Sequence, residues 1–393
     1  MVNLKSLDLA ALEAFVAGLG WEPYRAKQLF TWIWQKGVSD IDVMTNLAKA
    51  KRDELKSKAY ISTLKLARRL SSKDGTTKFQ FEMEDGLGIE SVFIPDAARR
   101  TVCVSSQVGC PLGCDICYTG QLGFKRNLKF HEIADQVLQV ALLVSDEHPP
   151  ITPISPIPNK GRSRAAARSL AQSAVRTSHS AVQSPQSAVT NVVMMGMGEP
   201  MLNLDEVLKA GEMLNSDLGL RIGARHITIS TAGIPQGIRK LADYPKQFKL
   251  AVSLNAADDK TRSKLMPVNR KYGLDMLGEA IQYYVKKTHK RVTFEYVLVH
   301  GINDRPEDAQ KLMRMLKYIP CKINLIPFNS CPNRDYAAPS LEQVEAFAQV
   351  LYPHLPAVTI RRSRGSEIRA ACGQLAGRED SRVQGFKDSR GSP

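Results

Sequence analysis

Residues 101–128 read TVCVSSQVGCPLGCDICYTGQLGFKRNL. Cys110, Cys114 and Cys117 fall within eight residues in the pattern C-x3-C-x2-C, with Cys103 seven positions upstream. Four of the chain's seven cysteines therefore sit in this one stretch. Such a density in a cysteine-poor chain is a metal-ligand pattern. A structural zinc takes four protein ligands, and an iron–sulfur cluster is also held by thiolates, usually four. The loop supplies three. On spacing alone two readings stay open: a four-iron cluster with one iron left for a small molecule, or a zinc knuckle with Cys103 as fourth ligand. In both, TVCVSSQ is a buried strand running straight into a ligand loop.

Downstream, strands alternate with helices. VVMM (192–195) precedes DEVLKAGEML, HITIST (226–231) precedes IPQGIRKLAD, and KLAVSL (249–254) precedes a helix near 259–265. RVTFEYVLV (291–299), KINLIP (322–327) and VTIRR (358–362) continue the series, with PEDAQKLMRMLKY and LEQVEAFAQVLY between them. Repeated strand–helix units mean a parallel sheet, doubly wound or a full or partial barrel. In a barrel the loops after the strands build the site. Those loops are small, polar and Gly-rich here: Gly196-Met197-Gly198-Glu199-Pro200, Ser230-Thr231-Ala232-Gly233, Ser253-Leu254-Asn255 and Asn329. Glycines let backbone approach a ligand, and a Glu or Ser there can hold an ammonium or a ribose hydroxyl. As a set they read as a cofactor-binding rim.

Upstream, residues 76–100 alternate apolar and polar positions in TTKFQFEMEDG and GIESVFIP, with Asp85-Gly86 as the turn, so a β-hairpin extension is expected. Residues 1–75 read as a small helical domain. Ser6 is the expected cap of LDLAALEAFVAGLG, Pro23 opens PYRAKQLFTWIWQKG, and VMTNLAKAKRDELKSKA is strongly basic. Its tryptophans are expected in the core. Its charges either dock RNA or are merely solvated. Residues 149–190 contain no Asp, Glu or aromatic residue and read as a disordered insertion in the core domain, 101–372; a flexible tail is expected over 373–393.

The bulk properties narrow the function. Composition is that of a globular protein, 43% hydrophobic and 24% charged. No apolar run reaches membrane-spanning length, and the acidic N-terminal stretch is not a secretory signal, so a cytoplasmic, membrane-free location is expected. Seven cysteines, an odd number, fit a reducing compartment. A formal charge of +15 favours a polyanionic partner, most simply nucleic acid.

A three-cysteine loop whose cluster leaves one iron open resembles the radical SAM superfamily, in which that iron chelates S-adenosylmethionine. QVGCPLGCDICYTGQLGFKRNL, VVMMGMGEPMLN, LAVSLNA, NLIPFN and IRAACGQLAG, in that order, resemble more narrowly the RlmN-type radical SAM enzymes. The resemblance covers nearly the whole chain outside the insertion and tail. It implies a partial (β/α)6 barrel and methylation of C2 of adenosine in 23S rRNA and tRNA. C2 is not a nucleophile, so polar methyl transfer cannot reach it, and the hard step belongs to the cofactors.

Position by position, the resemblance implies that Cys110, Cys114 and Cys117 hold a [4Fe–4S] cluster. It places Gly198, Glu199, Ser230, Ser253, Leu254, Asn255 and Asn329 around S-adenosylmethionine. Cys372 matches the cysteine that is methylated first and then loses hydrogen to a 5′-deoxyadenosyl radical, so that its methylene adds to C2. Glu90 matches the proton acceptor. Cys103 matches the cysteine that attacks the sulfur of Cys372, giving a transient disulfide; thiolate character favours such exchange. Apart from the resemblance, a nearby cationic residue such as Arg369 would favour a thiolate. A flavodoxin-type electron donor and a monomer are also implied. By residue type alone Cys103, Cys372 and Glu90 would be ordinary: a lone strand cysteine is usually a small buried hydrophobe.

Two positions depart from the family pattern: Asn255 stands where His is usual, and Ile116 where Phe is common. Neither change removes a ligand. The neighbouring alternative is a Cfr-type adenosine C8 methyltransferase, which shares the cluster and both cysteines; Pro200 after Gly198-Glu199 resembles the C2 enzymes. A more remote alternative is a non-catalytic zinc-bearing RNA-binding protein.

Overall fold

The computed structural model describes residues 1–96, 99–145, 188–332 and 334–376. The chain begins with β1 (Val2–Asn3), α1 (Leu9–Gly18), α2 (Tyr24–Phe30), α3 (Lys49–Lys58) and β2 (Ala59–Tyr60), where β1 and β2 pair in parallel. Asp8, not Ser6, caps α1, its Oδ1 accepting from Ala11 N at 2.9 Å; Ser6 instead donates to the Asn3 carbonyl. A π-helical turn at Thr31–Gln35 follows α2. Trp21 and Trp34 are buried as expected. Trp32 is only half-buried, with Lys36 Nζ 3.5 Å from its ring centre.

The antiparallel part of the main sheet comes next: β3 (Lys65–Ser71), β4 (Thr77–Glu82), β5 (Gly88–Asp96) and β6 (Arg99–Cys103). The hairpin of β4 and β5 turns where Asp85-Gly86 predicts, with Gly86 at φ +77°. Lys65–Ser71 is a strand rather than part of a helical domain, and it pairs with β4 along the edge of the same sheet. Every residue of it but one is exposed, so it lacks the apolar alternation that marks a strand in sequence.

From β6 the chain winds through six strand–helix units. The ligand loop carries β7 (Gln107–Gly109), α4 (Tyr118–Gln121) and β8 (Phe124–Asn127), and then α5 (Phe130–Val144) returns the chain. The series continues with β9 (Asn191–Met194), α6 (Leu204–Asn215), β10 (Ile227–Thr231), α7 (Pro235–Asp243), β11 (Lys249–Ser253), α8 (Asp259–Leu265) and α9 (Leu274–Thr288). It closes with β12 (Val292–Leu298), α10 (Pro306–Leu316), β13 (Cys321–Pro327), α11 (Leu341–Leu351) and β14 (Val358–Ile360). Helix α9 packs on α7 and is absent from the sequence alternation, which stops at α8.

The sheet runs β14-β13-β12-β11-β10-β9-β6-β5-β4-β3, parallel from β14 to β6 and antiparallel thereafter. This is a partial (β/α)6 barrel, left open because the second edge of β6 takes β5 instead of β14. Strands covered on both faces read as apolar runs; β12, VTFEYVL, is buried at six of seven positions.

Most of the predicted 149–190 insertion lies outside the described residues. Its last three residues belong to the core: Ala188 and Val189 are buried, and Thr190 N donates to Arg100 O at 2.9 Å. Similarly, the expected tail begins as ordered chain. Gln374 and Leu375 are buried, and the backbone from Gly373 to Ala376 is tied to the ligand loop and the hairpin. Residues 377–393 lie outside the described residues.

Candidate active site

Strand register gathers the reactive residues before any loop is considered. Lys78 pairs with Val92, Val92 with Cys103, and Cys103 with Val193, a single row across four strands. Side chains alternate faces along a strand, so Glu90, two residues from Val92, shares that face. A second row, Ser253–Glu295–Asn324, crosses from the C-terminal end of β11 to the middle of β12 and β13. Asn324 Nδ2 donates to Glu295 Oε1 at 2.9 Å, while Glu295 Oε2 is buried without a partner among the described residues.

The cysteine loop closes the mouth of the barrel. Cys110, Cys114 and Cys117 line a cleft of about 960 Å³ with Gly198, Glu199, Ser230, Ser253, Asn255, Asn329 and Cys372. Of the seven residues expected around S-adenosylmethionine, only Leu254 contributes no wall: its side chain is buried, and its backbone N–H donates to Glu295 O at 2.9 Å. Gly198 has φ +98°, and a Cβ there would stand 2.5 Å from Gln107 Cβ, so this turn requires glycine.

Glu199 is fully enclosed. Its Oε2 accepts from Ala232 N at 2.7 Å, its Oε1 from Met201 N at 3.1 Å, and its own N–H donates to Gln107 Oε1 at 2.8 Å. Burial pushes its carboxyl up to about 7, against the pull of those N–H groups. Asn255 sits at φ +59°, a conformation Asn tolerates better than most residues. Its Oδ1 accepts from Val297 N at 2.9 Å and its carbonyl from Asn303 Nδ2 at 2.7 Å. Where the family usually has His, the amide therefore fixes the end of β11 against β12.

Sequence reading missed Arg262, which is 0% exposed. Its guanidinium donates to Ala232 O at 2.5 Å, Leu254 O at 3.0 Å and Asn269 Oδ1 at 2.7 Å. It thus ties together the loops after β10 and β11. Among the described residues no carboxylate lies within ion-pair reach of it, and burial lowers it to about 10, with the nearby Cys114 thiol opposing.

A second cavity of about 500 Å³ adjoins the cleft and shares Cys117, Met195, Gly196, Cys372 and Gly373 with it. Cys103 and Cys372, 269 positions apart in sequence, both line it. Cys372 is the one exposed cysteine among the seven. All seven cysteines are free thiols. Burial pushes Cys103 up to about 12, Cys372 adding to the effect, and burial raises Cys372 as well. The cation facing both is Arg361, just after β14, and not the expected Arg369. Glu90 does not line this cavity. It is buried in a neighbouring hollow with Arg68, Leu70, Lys78 and Gln80.

The segment bearing Cys372 is held from several sides. Tyr118 N donates to Gly373 O at 2.7 Å, Thr119 Oγ1 to Leu375 O at 2.6 Å, and Asn329 Nδ2 to Cys372 O at 3.2 Å. Gly373 has φ +84°, and a Cβ there would stand 2.9 Å from Ile116 O.

Two family models match: residues 2–61 fit the ribosomal RNA large subunit methyltransferase N-terminal domain, and residues 159–316 the radical SAM superfamily. Along its length the chain is 40% identical over 377 residues to a probable dual-specificity RNA methyltransferase RlmN of Bacillus licheniformis, covering 96% of this chain and 94% of that one. The chain belongs to the RlmN family. It is 40% identical also to the dual-specificity RNA methyltransferase RlmN of Syntrophus aciditrophicus, over 96% and 97% of the two chains. A crystal structure of a radical SAM methyltransferase from Sphaerobacter thermophilus superposes with a TM-score of 0.81 at 39% identity, covering 95% of this chain and 99% of that one. This RlmN-family chain is therefore a radical SAM RNA methyltransferase, and its cofactors are a [4Fe–4S] cluster and S-adenosylmethionine.

The superfamily match begins after the cysteine loop, so the loop must be judged on its own chemistry. Burial raises the Cys114 thiol well above its usual range, Cys117 and Cys110 adding to it, and pushes Cys110 up to about 12. Thiolates there need a cation to hold them, which a cluster supplies. Among the described residues no group of three or more His, Cys, Asp or Glu is arranged for a single metal ion. A cluster takes each thiolate on a different iron and needs no such convergence. The three cysteines all line the cleft and fit a cluster, whereas Cys103 does not line the cleft.

Proposed function

We propose that this enzyme methylates C2 of adenosine in 23S rRNA and tRNA through a methylated Cys372 and a transient Cys103–Cys372 disulfide. One observation carries the reading: Cys372 lines both the cysteine-lined cleft and the cavity that holds Cys103. Two cysteine chemistries with different requirements thus share one residue. In this reading the cluster and S-adenosylmethionine, when bound, supply a methyl group and one-electron chemistry. Cys110, Cys114 and Cys117 hold the first; Gly198, Glu199, Ser230, Ser253, Asn255 and Asn329, with the backbone of Leu254, hold the second.

The remaining work falls to this chain. Cys372 carries the methyl carbon, presented between both cavities. Glu90 accepts the proton that leaves C2. Cys103 displaces the product by forming a bond to the Cys372 sulfur, its thiolate favoured by the Arg361 charge. A flavodoxin-type donor reduces the cluster, and the monomer works in the cytoplasm. Among the described residues no helix is long and apolar enough to cross a membrane, and the +15 charge suits phosphate contacts, with strong salt dependence. The target base must leave its stack to reach so enclosed a site.

The test is mass spectrometry of methyladenosine isomers in 23S rRNA and tRNA from a deletion strain. Loss of 2-methyladenosine from both pools is expected. Loss of 8-methyladenosine instead would replace this reading by the Cfr-type one. Anaerobic purification adds a direct check: a brown protein with about four irons is expected, and a colourless zinc protein would exclude radical chemistry.

A further inference from the structure

The buried ion pair of Lys78 and Glu90 does more than satisfy a carboxylate. Lys78 Nζ lies 3.1 Å from Glu90 Oε1, with the two side chains 8% and 3% exposed. Lys78 Nζ also donates to the carbonyl of Arg369 at 3.2 Å. Glu90 Oε2 accepts from Ala376 N at 2.9 Å. Arg369 and Ala376 bracket Cys372, so both ends of the segment bearing it are anchored on this one pair. Lys78 stands in the same strand row as Cys103. The pair therefore connects the sheet that carries one reactive cysteine to the segment that carries the other.

We propose that Lys78 is a positioning residue that sets Cys372 in register over Cys103, and that a proton arriving on Glu90 releases this hold. The second half rests on the function proposed above, in which Glu90 takes the C2 proton. Carboxylate is the stronger acceptor and attracts Lys78; the neutral acid does neither as well. Protonation weakens the Glu90–Lys78 attraction and the Ala376 bond together. The segment is thus held in register while carbon is transferred and the Cys103–Cys372 bond forms, and loosened once the C2 proton has arrived on Glu90, when the product must leave. Charge-assisted hydrogen bonds are the strong ones to lose here, because both partners are dry.

The test uses the full-length, cluster-loaded protein equilibrated in glutathione buffers. Two protein thiols and one oxidised glutathione give the Cys103–Cys372 disulfide and two reduced glutathiones, and peptide mass spectrometry reads the ratio. Lys78→Met is expected to lower the equilibrium constant about tenfold, the worth of one charge-assisted hydrogen bond, and Lys78→Arg to restore most of it. A wild-type constant in Lys78→Met overturns the proposal. If Lys78→Met does not fold, Glu90→Gln, a mimic of the neutral acid, carries the test. Its amides at 369–376 are expected to exchange about tenfold faster than wild type, and unchanged exchange overturns the proposal. Failure of the wild type to form the disulfide at any ratio would overturn the exchange chemistry proposed above, leaving amide exchange to decide the role of Lys78.

Discussion

Glu199 Oε2 accepts a 2.7 Å hydrogen bond from the backbone N–H of Ala232, joining the loop after β9 to the loop after β10. Burial holds this carboxyl near 7, above its ordinary 4.5. In the function proposed above, Glu199 as a carboxylate accepts from the amino group of S-adenosylmethionine; as an acid it would not do so as well. Affinity for S-adenosylmethionine should therefore fall as pH drops below about 7, approaching tenfold per unit. The stability effect has the opposite slope. The unfolded chain ionises first, so without ligand the fold loses stability as pH rises from 4.5 towards 7, by about 1.4 kcal/mol per unit. Glu199→Gln should flatten both slopes. Calorimetric binding and melting across pH check this, and equal slopes in wild type and variant would remove Glu199 from the account.

Arg262 predicts a different failure. Arg262→Met leaves Ala232 O, Leu254 O and Asn269 Oδ1 without their donor in a dry site. A loss of at least about 3 kcal/mol in denaturant unfolding is expected. Arg262→Lys should recover little, because an ammonium cannot reproduce the planar fork. Full recovery by Lys would mean that charge alone matters there.

The N-terminal domain is pinned to the barrel by another buried pair. Lys5 Nζ meets Asp135 Oδ1 at 2.6 Å, with both side chains nearly unexposed; Asp135 Oδ2 also accepts from Leu64 N at 3.1 Å. Lys5→Met strands the carboxylate and should cost on the order of 3–5 kcal/mol. Lys5→Met with Asp135→Leu should recover part of it, since an apolar pair leaves no unpaired charge. A double mutant as unstable as the single one would show that packing, not charge, sets the cost.

Cys103 should be a slow nucleophile at rest. Its thiol is pushed up to about 12, so alkylation of Cys103, read by peptide mass spectrometry, should speed up about tenfold per pH unit from 7 to 10. Arg361 opposes the burial, so Arg361→Met should slow the reaction at every pH. Faster alkylation in that variant would mean that Arg361 shields the thiol rather than activating it.

The strand–helix alternation made most of the barrel legible, because each element buries a full apolar stripe or run. Lys65–Ser71 and α9 were not legible. The first is an exposed edge strand without alternation, and the second follows a helix already counted for its strand. Lys78 was not legible either: a two-residue Asp85-Gly86 loop would set it on the face opposite Glu90, whereas the loop spans Glu84–Gly86, Met83 N donating to Leu87 O, and the one-residue shift brings both to one face. Arg262 offered no signal, since a lone Arg in a short helix reads as a solvated charge. The tail reading failed at Gly373–Ala376 because hydrogen bonds to Tyr118, Thr119 and Glu90, not local apolar content, order that backbone.

By itself the sequence determined the elements and the ligand loop, because periodicity and the close spacing of Cys110, Cys114 and Cys117 are local properties. Only the tertiary structure decided that Cys103 and Cys372 line one cavity, which Cys117 also reaches, that Arg361 is the cation facing them, and that Lys78 and Glu90 anchor the segment between Arg369 and Ala376. Those are contacts between residues up to 291 positions apart. They exist because the open edge of β6 takes up the hairpin, which sets Lys78, Glu90 and Cys103 on one face for the C-terminal segment to fold across.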